Sequence, residues 1–178
     1  YGFAFLMSKP MLAVFGERDL HATYDAWTWA DGVAQPIASV VCLPLAGRLV
    51  DRIGIVRTAS LAFALLGVAM LSLSVVESTT GLVVACAVFG AAMSGVNVAW
   101  TLGPLHFAKD GTGHGTTHGY TAVHVFLVGV RSVLAPGLGY AIASLAGVRV
   151  TFVVAAGFLV SATWLMRRLG RTERPSAQ

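Results

Sequence analysis

A chain of 178 residues is the length of one ordinary soluble domain. Its composition excludes that reading, because 56% of its residues are hydrophobic and only 11% charged, with a mean hydropathy of +0.76. A soluble domain carries about 25% charge, so the polar groups here are too few to cover a globule, and lipid is the expected surroundings. The net charge of +4 does not indicate a nucleic-acid partner, since the Lys and Arg residues lie in short breaks between apolar runs and not on one accessible face. Cys42 and Cys86 each sit inside an apolar run and read as small core residues, with no disulfide frame and no metal site expected.

A membrane span needs about 20 mostly apolar residues. Six stretches are predicted in chain order: about 1–15, 26–46, 58–76, 82–105, 120–142 and 148–166. The first is short, and the chain starts at Tyr1 with its apolar run already under way, which reads as a first helix that has lost its beginning. Thr23 or Asp25 is the expected N-cap of the second helix. The predicted breaks are 16–25, 47–57, 77–81, 106–119 and 145–147, followed by a polar tail over 170–178. The fold class is therefore all-α: a polytopic membrane bundle over residues 1–169.

Alternate breaks differ in charge. Arg48, Arg52, Arg57, Lys109, Arg167, Arg168, Arg171 and Arg174 fall on one side, whereas Arg18 and Arg149 share the other with Glu17, Asp19, Asp25 and Glu77. Eight cations against two places 47–57, 106–119 and the C-terminus in the cytoplasm, by the bias of Lys and Arg towards that side. A bacterial inner membrane is the expected location.

Ionisable and polar residues inside apolar runs are the candidates for function, because burying them in lipid is costly. Arg131 lies about 16 Å into its helix at 1.5 Å per residue, near the bilayer centre. It reads as the anchor of an anionic substrate group, as the partner of a carboxylate elsewhere in the protein, or as a structural ion pair. Asp31 is a candidate proton carrier, which would couple the protein to H+ or another ion; a carboxylate near the outer surface, favoured by the helix N-terminus, is the preferred reading. Lys9, beside Pro10, either meets substrate or snorkels to an interface, and snorkelling is preferred. Gln35, Asn97, Trp100, Trp29 and His124 are possible lining. Asn97 and Trp100 share a helix face, as do His124 and Arg131. Interhelical hydrogen bonding is the plainer role for all of them. His106, His114 and His118 sit in a glycine-rich stretch without the spacing of a metal site. Ala92-Met93-Ser94-Gly95 lacks the leading glycine of a membrane serine protease, so Gly90, Ser94 and Gly95 read as small packing residues. No nucleophile and base converge, no cofactor is called for, and an enzyme is not expected.

The break after the second helix reads Gly47-Arg48-Leu49-Val50-Asp51-Arg52-Ile53-Gly54-Ile55-Val56-Arg57. It resembles the signature of the major facilitator superfamily, G-x-x-x-D-R-x-G followed by basic residues: Gly47, Asp51, Arg52 and Gly54 match, and Arg57 follows. Such glycines suit close packing and a sharp reversal, and Asp51 suits a bond to a nearby helix N-terminus. In the predicted fifth helix, Pro136 and Gly139 match a second family pattern, G-x-x-x-G-P-x-x-G-G, while Arg131, Ala135 and Tyr140 stand where it has glycines. The resemblance implies one six-helix half of a twelve-helix secondary transporter, built as two three-helix repeats of inverted orientation. The worn second pattern favours the C-terminal half, with a missing N-terminal half as partner. It further implies a small-molecule substrate moved by alternating access, a first helix that lines the cavity, and a gate latched by Gly47, Asp51, Arg52, Gly54 and Arg57. A scaffold or sensor of the same fold that does not transport is the alternative.

Overall fold

The structure is a computed structural model that describes residues 1–109 and 117–172. All secondary structure among these residues is helical: α1 (Gly2–Arg18), α2 (Tyr24–Ile53), α3 (Ile55–Val75), α4 (Thr79–Lys109), α5 (Thr117–Ala146) and α6 (Val148–Thr172). Five of them, α2 to α6, are long and apolar enough to cross a membrane. α1 has 17 residues and reaches only about 25 Å, short of a bilayer core of about 30 Å.

The helices exceed their predicted bounds, because lipid-phase backbone must satisfy its hydrogen bonds within the chain, and extending a helix is the direct way to do so. The largest correction concerns 47–57, predicted as a loop. α2 runs on through Gly47, Asp51 and Arg52 to Ile53, and Gly54 alone joins it to α3. Gly54 has φ 84° and ψ 163°, a region open essentially to glycine. Thr58 ties the start of α3 back to it, its hydroxyl donating to the Gly54 carbonyl at 2.8 Å. Likewise Gly147 alone joins α5 to α6, its N–H donating to the Ala143 carbonyl at 3.0 Å. α6 passes through Gly170 to Thr172, so the expected tail begins with helix. Thr23 caps α2, its hydroxyl accepting from the Ala26 N–H at 3.3 Å.

The first part of α2 is unusual. Thr28–Ala34 is a π-helical segment that ends just before Pro36, and the Gln35 N–H donates to the Ala30 carbonyl five residues back. A proline within a helix has no N–H, and its ring crowds the carbonyl four residues earlier. Widening the preceding turns relieves that crowding without breaking the helix.

The packing follows a two-fold exchange. α1 packs on α5 and α6, while α4 packs on α2 and α3. Replacing α1 by α4, α2 by α5 and α3 by α6 maps these pairs onto each other and carries the α3–α6 pair onto itself. Successive helices reverse direction across short links, so α1 and α4 point opposite ways: two inverted three-helix repeats. The core is filled by Met7, Met11 and Phe15 of α1, Leu66 and Leu73 of α3, Leu82 and Cys86 of α4, and Phe152 of α6, all essentially inaccessible. Gly95 meets Ala62 of α3, Gly90 lies against the Gln35 backbone, and Ser94 is buried, in keeping with close packing through small residues. α2 and α5 are the least covered spans and expose Val40, Leu45, Val125 and Val133.

Candidate functional site: two polar clusters inside the bundle

The site is built outward from α1. Lys9, midway along it, reaches α2, where Nζ pairs with Asp31 and donates to Gln35 Oε1 at 2.8 Å. Asp31 and Gln35 are four residues apart and so share one helix face. The ammonium also lies 5.4 Å from the centre of the Phe89 ring on α4. The expected snorkelling of Lys9 is therefore not what the fold does, because a carboxylate and an amide within reach solvate the ammonium better than a bent path to an interface. Asp31 is likewise not a lone surface carboxylate. It sits about 10 Å down α2 from Tyr24, within the π-helical segment, bound to a cation.

The second cluster surrounds Arg131, the middle residue of α5. Its guanidinium carbon lies 4.9 Å from the centre of the Trp100 ring on α4 and 5.7 Å from that of Tyr1. It rests on the α1 backbone at Gly2, where a Cβ would come within 2.0 Å of Nη1. The Trp100 ring meets His124 edge-on at 4.1 Å between centroids, and Tyr1 at 5.9 Å. Cation–π contact stabilises the guanidinium face but does not satisfy its Nε. Arg131 Nε and His124 Nε2 are buried with no hydrogen-bond partner. Asn97, expected beside Trp100, is exposed, and its backbone carbonyl accepts from Thr101 Oγ1 at 3.0 Å. Trp29 is 63% exposed. The structure thus joins Lys9, Asp31 and Gln35 in one group and Arg131, His124 and Trp100 in another, and leaves Asn97 out.

The signature residues lie at the end of the bundle where α2 turns into α3. The expected bond from Asp51 to a neighbouring helix N-terminus is absent: Asp51 lies on the exposed side of a continuing helix and makes no hydrogen bond among the described residues. Gly47 provides no close approach either, since a Cβ there would meet nothing within 4 Å. Arg57 falls in the first turn of α3, exposed. Arg48 and Arg52 border a groove of about 490 Å³ between α2, α3 and α4, whose wall includes Leu45, Leu61 and Ser94. Val56 and Arg57 approach Gly170 of α6, so the arginines of α2, α3 and α6 gather at one end. Pro136 lies inside α5, and Gly139 is buried where a Cβ would come within 2.3 Å of the Met7 carbonyl.

Arg149 lies at the opposite end, and its position in the sequence signals a charge on that side and nothing more. It donates to the Ser74 and Val76 carbonyls at 3.3 and 3.1 Å, pairs with Asp19 at 3.7 Å, and covers the Phe15 ring at 5.5 Å. It thereby caps α3 and ties it to α1 and α6, a favourable place for a cation at a helix C-terminus. The histidine stretch at 106–118 lies outside the residues whose side chains are described, and no metal-holding cluster of His, Cys, Asp or Glu occurs among those that are.

An all-helical bundle with apolar spans and charged groups turned inward defines an integral membrane protein. The family model described as Major Facilitator Superfamily matches residues 1–178, and the chain belongs to that family of membrane transporters. A comparison with curated proteins gives no match.

Proposed function

We propose that this chain forms one half, the C-terminal one, of a secondary transporter that moves a small solute by alternating access. The solute binds near the bilayer midplane, between this bundle and the remainder of the polypeptide. The observation that carries this reading is the cluster of Arg131, Trp100 and His124 at mid-depth, with donors left unpaired inside the bundle. Purely structural polar groups in lipid are ordinarily satisfied. Arg131 is the solute- or ion-pairing residue, and Trp100 and His124 line its surroundings. The Lys9–Asp31–Gln35 group links α1 to α2 and provides a carboxylate able to couple movement to H+. The exposed faces of α2 and α5 meet the other half. Gly47, Asp51, Arg52, Gly54 and Arg57 serve a gate on the cytoplasmic side of a bacterial inner membrane.

The test is counterflow of radiolabelled solutes into proteoliposomes holding the full-length polypeptide, with a Cys-free Asn97→Cys variant probed by impermeant thiol reagents from each side. Solute should shift the labelling from one side to the other. Labelling from one side only, unchanged by any transported solute, refutes alternating access. An absence of counterflow across a broad panel favours the scaffold reading.

A further inference from the structure

The charges within the spans do not cancel. About two turns or more from either end of a described helix, the Asp, Glu, Lys and Arg residues are Lys9 of α1, Asp31 of α2 and Arg131 of α5. Lys9 and Asp31 neutralise one another. Arg131 has no ion pair among the described residues, and its Nε is buried without a hydrogen-bond partner. An arginine does not deprotonate, so among the described residues the interior carries one uncompensated positive charge at the depth where a charge is costliest.

The surroundings specify what would compensate it. The aromatic faces of Trp100 and Tyr1 hold the guanidinium carbon at 4.9 and 5.7 Å. Rings so placed satisfy the flat face of the group and leave Nε unpaired on its N–H edge, and such an edge matches two oxygens of a carboxylate or phosphate. His124, two turns away on the same helix, meets the same indole edge-on at 4.1 Å between centroids, and its Nε2 also lacks a partner. Two polar side chains with an unsatisfied buried nitrogen each thus contact one indole ring.

We propose that the solute is a small organic anion, its carboxylate or phosphate oxygens held by the edge of Arg131, its apolar body against Trp100 and Tyr1, and His124 the next donor along α5. This rests on the transport reading above and names the chemistry that the site selects.

The experiment uses the full-length polypeptide in nanodiscs, melted with benzoate, with inorganic phosphate, or with benzamide as the neutral isostere, alongside counterflow in proteoliposomes. Benzoate or phosphate should raise Tm where benzamide does not, and which of them does so separates carboxylate from phosphate. Arg131→Gln should need at least about tenfold more anion for the same shift, the scale of one lost charge-assisted hydrogen bond. Arg131→Lys should retain part of the effect, because it keeps the charge without the fork. If Arg131→Gln does not fold, the contrast of anion with benzamide in the wild type, together with Arg131→Lys and His124→Gln, carries the test. No shift by either anion overturns the proposal. So does rescue of Arg131→Gln by neutralising an Asp or Glu elsewhere in the polypeptide, which would make Arg131 half of a structural ion pair. Stabilisation by anion with no counterflow keeps the anion site and removes the transport reading. Counterflow of neutral solutes that neither benzoate, phosphate nor Arg131→Gln affects keeps transport and removes the anion.

Discussion

Gly90→Ala adds one methyl group where two helices touch through their backbones. The new Cβ would lie 2.0 Å from the Gln35 oxygen, 2.8 Å from its carbonyl carbon and 3.0 Å from its Cα, whereas real Cβ atoms essentially never come closer than 3.0 Å. α4 and α2 must separate by about 1 Å, and no side chain can rotate away to spare them. Overpacking costs about 1–3 kcal/mol, and alanine in place of glycine within a helix returns about 0.5–1 kcal/mol. With backbone as the obstacle the upper half of that cost applies, which leaves a net loss of about 1–2.5 kcal/mol. Gly157→Ala is the control: a Cβ there meets nothing within 4 Å, so the same substitution should stabilise by about 0.5–1 kcal/mol. Equilibrium unfolding of the full-length polypeptide in mixed micelles, with SDS as denaturant, measures both. Because Gln35 accepts from Lys9, Gly90→Ala should also lower uptake. A Gly90→Ala protein as stable as wild type, or more so, would refute the close α2–α4 contact.

Lys9→Met and Asp31→Asn should each cost about 1–3 kcal/mol, between an exposed and a fully buried pair, since the two side chains keep 30% and 25% exposure. The double variant should lose less than the sum, as a double-mutant cycle in the same micelles would show. If Asp31 carries protons, Asp31→Asn should abolish uptake driven by a pH gradient while leaving solute exchange, and an unchanged pH dependence contradicts that role. Gly54→Ala should cost about 1–3 kcal/mol by forcing a side chain into a glycine-only conformation, read as a lower midpoint of unfolding. Arg149→Gln removes the cap on α3 and should speed protease cleavage after Val75, whereas Arg18→Gln, exposed at the same end, should not.

The medium and the helix count were legible without coordinates, because hydropathy and segment length are properties of the chain alone. So was the gathering of arginines at one end, since short links force successive helices to alternate and residue number fixes the side. Arg131 stood out for the same reason: its depth depends only on its place along a helix. What a helix end does was less legible. Gly47 to Arg52 carry polar residues that read as a loop, yet backbone hydrogen bonding carries α2 on to Ile53, and only the φ of Gly54 stops it.

Which polar groups meet was decided by the tertiary fold. Lys9 and Asp31 are 22 residues apart, and no local pattern relates them. They pair because the long Lys9 side chain reaches from α1 to Asp31 and Gln35 on α2. Asn97 and Trp100 share a face by spacing alone, yet the tryptophan meets Arg131, Tyr1 and His124 while the asparagine stays exposed. Arg149 looked like a lone charge until the ends of α1, α3 and α6 came together around it. A chain dictates where along each helix a charge sits, and packing dictates which charge it faces, because helices in lipid turn to bring costly polar groups within reach of one another.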